Sequence, residues 1–415
     1  MRTPPDQVET RRDAVIGGAI ELFRTTFAGR PAAVAVAPAR VNLIGDHTDY
    51  EGGLALPMTI DRWTAVAAGR SVAPESRAVT SLERCGPAAC DLTASDAPER
   101  VERLEPHWAR YVFGSALELR AAAGGDAPAP RVDLAVSGDV PVGSGVSSSA
   151  SLEVAVAGAV NALLEYGVSR ADLPGVCQRA EHRFAGVPCG LMDQYTAVHG
   201  ESGAALLIDC ARAEHRLIPI PRDDDAIGLL VDTKVPRALN AGDYAARRAL
   251  CRRAAAALGV QTLGGASEER LLAVRSRLSE EEFRAARHVV RENARVRRVA
   301  DLLLTAAERQ IEDWEPVLEE IGVLMVQSHR SLRDDMGVSC PELECVVDAA
   351  LDGDGAYGAR LTGAGFGGCA LVLCDPSWAE RVARRVEQEF ERRFDYRCGV
   401  TSFRSVDGLS TTADH

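Results

Sequence analysis

The stretch PVGSGVSSSA at residues 141–150 carries residue types that suit phosphate binding. Its glycines, Gly143 and Gly145, allow the backbone to approach a ligand closely. The almost uncharged segment Ser151–Tyr166 has helical spacing of apolar residues, and a helix N-terminus offers free N–H groups to an anion. The serines at 147–149 add hydroxyls for phosphate oxygens or a metal ion. A serine cap after a glycine turn would also explain the run, but the apolar helix behind it favours a phosphate site.

The chain has a single lysine, Lys234. The P-loop nucleotide site and the protein-kinase site each require a lysine within a fixed motif, and neither motif can be built here. If the chain binds a nucleoside triphosphate, then backbone amides, hydroxyls, arginines and Mg²⁺ must hold its phosphates.

A second polar cluster occupies residues 37–53, which we predict as a loop containing an arginine, a histidine and three acids. Each hydroxyl of a sugar both donates and accepts hydrogen bonds, and carboxylates distinguish axial from equatorial hydroxyls, so the cluster suits a polyhydroxylated ligand. A solvated turn is the alternative. The apolar residues Val41, Leu43 and Ile44 argue against it, because they would anchor the loop.

Two further acids could support proton transfer and metal binding. Asp193 follows a glycine-containing turn in apolar surroundings, and Glu181 lies twelve residues earlier beside the apolar stripe of its own helix. Acids at the edge of a core are commonly satisfied helix caps. Near a phosphate loop, however, one acid could hold Mg²⁺ while the other accepts a proton. The glycine-rich run at 363–368 would let the backbone approach a ligand or another segment.

These clusters require a scaffold of mixed helices and strands, and the pattern predicts an α+β chain in two halves. Predicted helices cover residues 5–27, 151–166, 171–184, 243–258, 267–287, 290–308, 315–332, 341–351 and 378–392. Predicted strands cover residues 32–37, 54–69, 131–137, 204–209, 215–220, 227–231 and 369–373. A change of composition near residues 211–225 predicts a boundary between domains 1–215 and 216–415.

Composition narrows the function classes. The 415 residues, 46% hydrophobic and 26% charged, are typical of a soluble globular protein with room for two domains. The net charge of −13 argues against a broad nucleic-acid surface. The eleven cysteines contain no CxxC, no signal peptide is recognised and the apolar stretches are interrupted. We therefore expect a cytoplasmic protein with reduced thiols and no membrane span, acting as a monomer on small molecules.

Taken together, the clusters resemble those of the galactokinases, within the GHMP small-molecule kinase superfamily. The matching stretches are ARVNLIGDHTDY at 39–50, PVGSGVSSSA at 141–150, CGLMDQ at 189–194, YAARRALC at 244–251 and LTGAGFGGC at 361–369. All follow the order of the family across roughly residues 31–375. The resemblance implies the two-domain GHMP kinase fold, with an active site in the cleft between the domains. It also implies ATP-dependent phosphorylation of galactose at its anomeric C1 hydroxyl.

The same resemblance implies a role for individual residues. Asp193 would be the general base facing the anomeric hydroxyl, and Arg40 would hold that carboxylate ionised and stabilise charge on the transferring phosphoryl group. Mg²⁺ would be bound by Ser149 and Glu181. The sugar would be contacted by Asp46, His47, Asp49, Gly190 and Tyr244. ATP would be contacted by Gly143, Ser144, Gly145, Val146, Ser147, Ser148 and Ser149 at its phosphates, and by Trp108 and Tyr111 at its adenine.

One departure from the family leaves the sugar open. Asp46 stands where the family usually has glutamate, which in the family contacts the far side of the sugar near C6. A kinase for a related sugar, of the N-acetylgalactosamine, 6-deoxy-galactose or arabinose type, is therefore an alternative.

Two further classes of protein fit the sequence less well. Galactose-sensing regulators that resemble galactokinases lose residues of the serine loop, whereas residues 147–150 are intact here and so is Asp193. Mevalonate and homoserine kinases lack the element HTDY at residues 47–50. The sequence therefore favours an enzyme that phosphorylates a sugar.

Overall fold

The computed structural model describes residues 5–82, 85–124, 127–235 and 241–413. Within these ranges the helices are α1 (Pro5–Phe27), α2 (Ala97–Glu102), α3 (Trp108–Ala123), α4 (Ser148–Leu164), α5 (Leu173–Ala180), α6 (Met192–His199), α7 (Ala241–Leu258), α8 (Glu268–Ala273), α9 (Glu280–Arg309), α10 (Glu315–Ser331), α11 (Pro341–Leu351) and α12 (Ala379–Phe394). Single turns of 3₁₀ helix lie at Asp49–Glu51, Leu263–Gly265 and Arg275–Arg277, and π turns at Glu181–Ala185 and Leu332–Met336.

The strands in the same ranges are β1 (Ala33–Ile44), β2 (Leu54–Arg70), β3 (Ser76–Thr80), β4 (Ala88–Cys90), β5 (Val132–Gly138), β6 (Ala204–Asp209), β7 (Glu214–Pro219), β8 (Ile227–Asp232), β9 (Ala356–Thr362), β10 (Cys369–Cys374), β11 (Gly399–Phe403) and β12 (Ser410–Ala413). They form an eight-stranded sheet in the order β12-β1-β2-β5-β3-β4, on which β6 pairs with β2 and β7 with β6, and a four-stranded sheet in the order β11-β8-β10-β9. The predicted α+β class is confirmed.

The first domain is built on the larger sheet. Helices α3, α4 and α5 cover one face of it, and their apolar residues form a core with the strands around Val66, Leu134 and Val156. Helix α4 is buried almost all round, which explains why Glu153 is its one charged residue. Because α4 is fixed in this way, its N-terminus has a fixed position beside β1.

The second domain is built on the smaller sheet, whose strands are all antiparallel. Helices α7, α9, α11 and α12 contribute to its core, which includes Leu229, Val289 and Val372. A further apolar cluster joins the two domains, because Ile44 and Leu56 of the larger sheet pack in one group with Val296 of α9 and Leu371 of β10. The two domains therefore share a continuous apolar contact.

Several elements differ from the sequence prediction. Outside the predicted ranges lie the helices α2, α3 and α6 and the strands β3, β4, β9, β11 and β12. Strand β1 continues to Ile44 through the first half of the predicted loop, because residues 39–44 pair with β2 across two bulges. Helix α9 is one continuous helix where two were predicted, and Ser279 starts it with a capping box to Glu282. The region 85–100, which lies outside the predicted helices and strands, contains β4 and the beginning of α2.

Two features bear on the domain boundary. The predicted boundary at residue 215 falls inside β7, which pairs with β6 on the larger sheet. Strand β12, near the end of the chain, pairs with β1 and so returns to the first domain. The boundary itself stays a prediction. In the part of the chain that is described, no helix is long and apolar enough to cross a membrane.

Candidate active site

A cavity of about 540 Å³ lies where the N-terminus of α4, the end of β1 and the glycine-rich turn after β9 meet. Most of the residues singled out from the sequence line it: Arg40, Asp46, His47, Asp49, Trp108, Tyr111, Gly143, Gly145, Ser147, Ser148, Ser149, Glu181, Gly190, Asp193 and Tyr244. Two of them do not. Ser144 donates its hydroxyl to the carbonyl of Pro141, and the Val146 side chain packs in the core between the domains.

Arg40 and Asp193 form the best-defined pair in this cavity. Arg40 Nε donates to Asp193 Oδ1 at 2.8 Å, and Arg40 Nη2 donates to Asp193 Oδ2 at 2.8 Å. Two parallel bonds of this kind fix both the distance and the orientation of a carboxylate. Arg40 is buried, whereas a quarter of the Asp193 side chain is exposed to the cavity. The carboxylate is therefore held firmly and still accessible to a ligand.

The phosphate loop contacts the same pair. Arg40 Nη1 donates to the carbonyl of Gly145 at 2.7 Å, and the Ser147 hydroxyl donates to Asp193. Ser147 has a φ of 64°, a left-handed conformation that is strained for a residue with a side chain and recurs at functional sites. Helix α4 begins at the next residue, Ser148. The free N–H groups of its first turn thus face the cavity beside Asp193, as anion binding requires.

A buried acidic cluster lies beside this loop. Glu181, at the start of a π turn, accepts a hydrogen bond from Gln194 Nε2 at 2.7 Å, and Ser149 is near enough to lower the pKa of its carboxyl. The same Gln194 nitrogen donates to Glu153 at 3.0 Å. Burial raises the pKa of Glu181 to about 7 and that of Glu153 well above its ordinary value. Two buried carboxylates with few cationic partners are costly, and a bound cation would compensate them.

The sequence analysis did not single out Glu153. It is the one acid within the otherwise apolar run of α4, and a charged residue at a core-facing helical position is the signal that could have identified it. Its Oε1 atom is buried without a hydrogen-bond partner. Among the described residues, no three His, Cys, Asp or Glu side chains come together as a complete metal cage. Mg²⁺ seldom needs one, because it binds one or two carboxylates together with phosphate oxygens.

The predicted sugar contacts line the same cavity as Asp193. Asp49 stands at the cavity wall, where burial and repulsion from Asp193 raise its pKa to about 7. His47 donates or accepts through both ring nitrogens, with Nε2 at 3.1 Å from the carbonyl of Ala364 and Nδ1 at 2.9 Å from the hydroxyl of Tyr50. The ring of Tyr244 packs against those of His47 and Tyr50. Asp49 and His47 therefore form a polar wall of the cavity, and the rings of Tyr50 and Tyr244 pack against His47.

The Asp46 carboxylate is engaged on both oxygens. Arg360 Nη2 donates to Oδ2 at 2.6 Å, and the backbone N–H of Gly363 donates to Oδ1 at 3.1 Å. Arg360 is fully buried on β9 and also donates to the carbonyl of Asn42. The sequence analysis did not single out Arg360. Nothing in the local pattern of β9 distinguishes a buried arginine that pairs across the domains from one at the surface.

The predicted adenine contacts, Trp108 and Tyr111, also line the cavity. Trp108 and Tyr111 begin α3, and the indole Nε1 of Trp108 donates to the carbonyl of Gly86 at 3.1 Å. The exposed side chains of Leu82 and Val142 line the same cavity. An apolar slot with aromatic walls, next to a helix N-terminus, has the shape and chemistry for a nucleotide.

Comparisons with known proteins agree with this geometry. Residues 110–201 match the family described as GHMP kinases N terminal domain, residues 306–392 match GHMP kinases C terminal, and residues 21–70 match the galactokinase galactose-binding signature. The chain is 41% identical over 369 residues to the galactokinase of Homo sapiens, covering 89% of this chain and 90% of that protein. It is 40% identical over 385 residues to the galactokinase of Streptomyces coelicolor, covering 91% and 94%.

Solved structures point to the same family. The crystal structure of Lactococcus lactis galactokinase complexed with galactose superposes with a TM-score of 0.85 at 29% identity, covering 94% of this chain and 98% of that one. The Methanococcus jannaschii mevalonate kinase superposes with a TM-score of 0.60 at 17% identity, covering 90% and 98%, and shares the fold. With its two domains, its cavity and relatives of this identity over most of its length, the chain belongs to the galactokinase family of GHMP kinases.

Proposed function

We propose that this enzyme transfers the γ-phosphoryl group of ATP to the anomeric C1 hydroxyl of galactose. The observation that carries the proposal is the Arg40–Asp193 pair, held at 2.8 Å between the phosphate loop and the polar wall. Phosphoryl transfer needs the acceptor hydroxyl, the phosphates and the cationic groups to be held in one arrangement. Among the described residues that line the cavity, Asp193 is the carboxylate that touches both the arginine and the serine loop.

The chemical step uses these residues in sequence. The Asp193 carboxylate accepts the proton of the C1 hydroxyl as that oxygen attacks the γ-phosphorus. The new C1–O–P linkage forms while the bond from the γ-phosphorus to the β–γ bridging oxygen breaks, and ADP leaves with that oxygen. The Arg40 guanidinium keeps the base oriented and faces the negative charge on the transferring group. An anomeric hydroxyl is more acidic than an ordinary alcohol, which makes a carboxylate an adequate base.

The acidic cluster fits Mg²⁺. Ser149 and Glu181 provide oxygen ligands, and the raised pKa of the Glu181 carboxyl reflects its burial and the repulsion from Asp193, which a divalent cation would offset. When bound, Mg²⁺ neutralises charge on the phosphates of ATP. Gln194 holds Glu181 in place by donating from its amide, and the first turn of α4 donates N–H groups to the phosphates.

The sugar itself is tested by a substrate panel. Galactose, N-acetylgalactosamine, 6-deoxy-galactose, L-arabinose and glucose are each supplied with Mg-ATP, and ³¹P and ¹³C NMR of the product locate the phosphate. We expect galactose to give the highest kcat/KM and a phosphate on C1. A product phosphorylated elsewhere, or no product from any sugar, would contradict the proposal.

A further inference from the structure

The turn Gly45-Asp46-His47 is held from behind by helix α9, outside the cavity. Glu292 Oε1 accepts the backbone N–H of Gly45 at 2.9 Å, and His288 Nε2 lies 3.0 Å from the carbonyl of Asp46. His288 and Glu292 are four residues apart and therefore lie on one face of the helix. Both side chains are completely buried. Each of the two bonds engages backbone, so their effect does not depend on which side chain the turn carries.

The turn needs such support because its conformation is unusual. Gly45 has a φ of 102° and His47 a φ of 61°, and both lie in the left-handed region that ordinary residues avoid. Strained backbone persists only where surrounding contacts fix it. A side chain at position 45 would also collide with Ala55, whose Cα would lie 2.7 Å from the added Cβ. The turn is thus tightly enclosed and bonded on its inner side by α9.

Glu292 is suited to this role by its charge. Burial raises its pKa, but the guanidinium groups of Arg295 and Arg360 and the hydrogen bond from Ser328 oppose burial, and the pKa lies below its ordinary value. Arg295 Nε donates to its second oxygen at 2.7 Å, and the Ser328 hydroxyl donates to the oxygen that also receives Gly45. The Glu292 carboxylate is therefore ionised and bonded on both oxygens. These bonds hold Oε1 in position to accept the backbone N–H of Gly45.

His288 is suited to its role as a neutral ring. Burial lowers its pKa, and a carbonyl can only accept, so Nε2 carries the hydrogen and donates to Asp46. The other ring nitrogen, Nδ1, lies 2.9 Å from Ser331 Oγ. The single hydrogen of the Ser331 hydroxyl can go to this nitrogen or to Asp335 Oδ2, which lies 2.8 Å away, and Asp335 pairs with Arg287. The ring is thus fixed on both sides and links the last turn of α10 to the turn in the cavity.

We propose that His288 and Glu292 are positioning residues for sugar binding. They touch neither the cavity nor any reacting atom, and they fix the turn so that Asp46 and His47 reach the cavity wall. This inference rests on the proposed function, because it takes galactose as the substrate and the side chains of Asp46 and His47 as its contacts. It predicts that loss of the bond from His288 affects the sugar and not ATP, because the phosphate loop is held by Arg40 and α4 instead.

The test compares His288→Leu with His288→Gln. Leucine fills the space but cannot donate to Asp46, whereas the glutamine amide can. We expect His288→Leu to raise KM for galactose about tenfold, equivalent to about 1.4 kcal/mol, with KM for ATP within about twofold and kcat within about threefold. His288→Gln should recover most of this loss. Leu303→Ala is the matched control, because it removes buried contacts of α9 in the core between the domains without touching the turn.

A second measurement is independent of the substrate. Deuterium uptake of the ligand-free protein over residues 45–53 should increase in His288→Leu and stay at the wild-type level in Leu303→Ala. If the wild type does not phosphorylate galactose but the uptake changes as expected, the proposed function fails and the positioning role stands. Equal increases in KM for galactose and ATP, or unchanged uptake over this segment, would overturn the positioning role.

Discussion

Gly190 lies directly against the carboxylate of Asp49. A Cβ atom added at Gly190 would lie 1.8 Å from Asp49 Oδ2 and 2.1 Å from its carboxyl carbon. Both residues line the cavity beside Asp193. The absence of a side chain at position 190 therefore determines where the Asp49 carboxylate can stand.

We expect Gly190→Ala to displace Asp49 and weaken sugar binding. The added methyl cannot coexist with the present carboxylate position, so KM for galactose should increase about tenfold or more, about 1.4 kcal/mol. Steady-state kinetics and calorimetric titration with galactose measure this. Gly175→Ala in α5 is the control, because its nearest neighbour, the end of the Arg179 side chain, would lie 3.4 Å away. Wild-type affinity in Gly190→Ala would show that Asp49 does not contact the sugar.

Asp193→Asn should remove the general base while keeping its shape. We expect kcat to fall by about 10² to 10⁴, with the affinities for sugar and ATP within about tenfold. Rapid-quench turnover and calorimetry measure the two effects separately. Asp348→Asn, an exposed acid on α11, is the control for loss of one negative charge. Near-normal turnover in Asp193→Asn would exclude it as the base.

Ser149→Ala and Glu181→Ala should each raise the Mg²⁺ concentration needed for half-maximal rate, by about tenfold. The reason is that each variant removes one oxygen ligand. Titration of Mg²⁺ at saturating sugar and ATP checks this. Ser151→Ala is a matched control in the same helix turn, because its hydroxyl donates to the carbonyl of Ala37 and faces away from the cavity. An unchanged Mg²⁺ requirement in both variants would count against this metal site.

Asp46→Ala should lower the free energy of unfolding by about 3 kcal/mol, because it leaves the buried guanidinium of Arg360 without its carboxylate. Urea unfolding followed by circular dichroism measures the difference. Asp232→Ala removes a carboxylate from a pair with the exposed Lys234 and should cost less than about 1 kcal/mol. Equal losses in the two variants would mean that the Asp46–Arg360 pair contributes no more than a surface pair.

The stability gained by Asp49→Asn should depend on pH. The pKa of Asp49 is about 7 in the folded protein and 3.8 is its ordinary value. Between these values the folded protein binds a proton that the unfolded chain has lost, so the carboxyl increasingly opposes folding as pH rises. The Tm advantage of Asp49→Asn should therefore be small at pH 4, grow towards pH 7 and then stay constant. Asp348→Asn should show no such dependence.

The sequence predicted the members of the site better than the contacts that hold them. Arg40, Asp193 and the serine loop stand in short motifs whose residue types indicate their chemistry, and the structure brings them together. Arg360 could not be found in this way, since it meets Asp46 across 314 positions of the chain. Recognising such a pair requires knowing that β9 of the smaller sheet packs against the end of β1 in the larger sheet.

Helix α9 illustrates a second limit. The sequence analysis predicted two helices, at 267–287 and 290–308, whereas the structure has one helix of 30 residues, Glu280–Arg309. Its buried His288, Glu292 and Asn293 are polar because they bond to the turn at Gly45–Leu54 and its surroundings. Periodicity of apolar residues identifies a core-facing helix. It does not identify a helix whose buried face is polar because its side chains bond to a neighbouring site.

Strand β12 has a consequence for biosynthesis. It covers the outer edge of β1 through the pairs Ala33–Ala413 to Val36–Ser410. While a ribosome is still making the second domain, the backbone N–H and C=O groups on this edge of β1 have no partner, and such an edge can pair with another nascent chain. The larger sheet therefore lacks this strand during translation until residues 410–413 have left the ribosome.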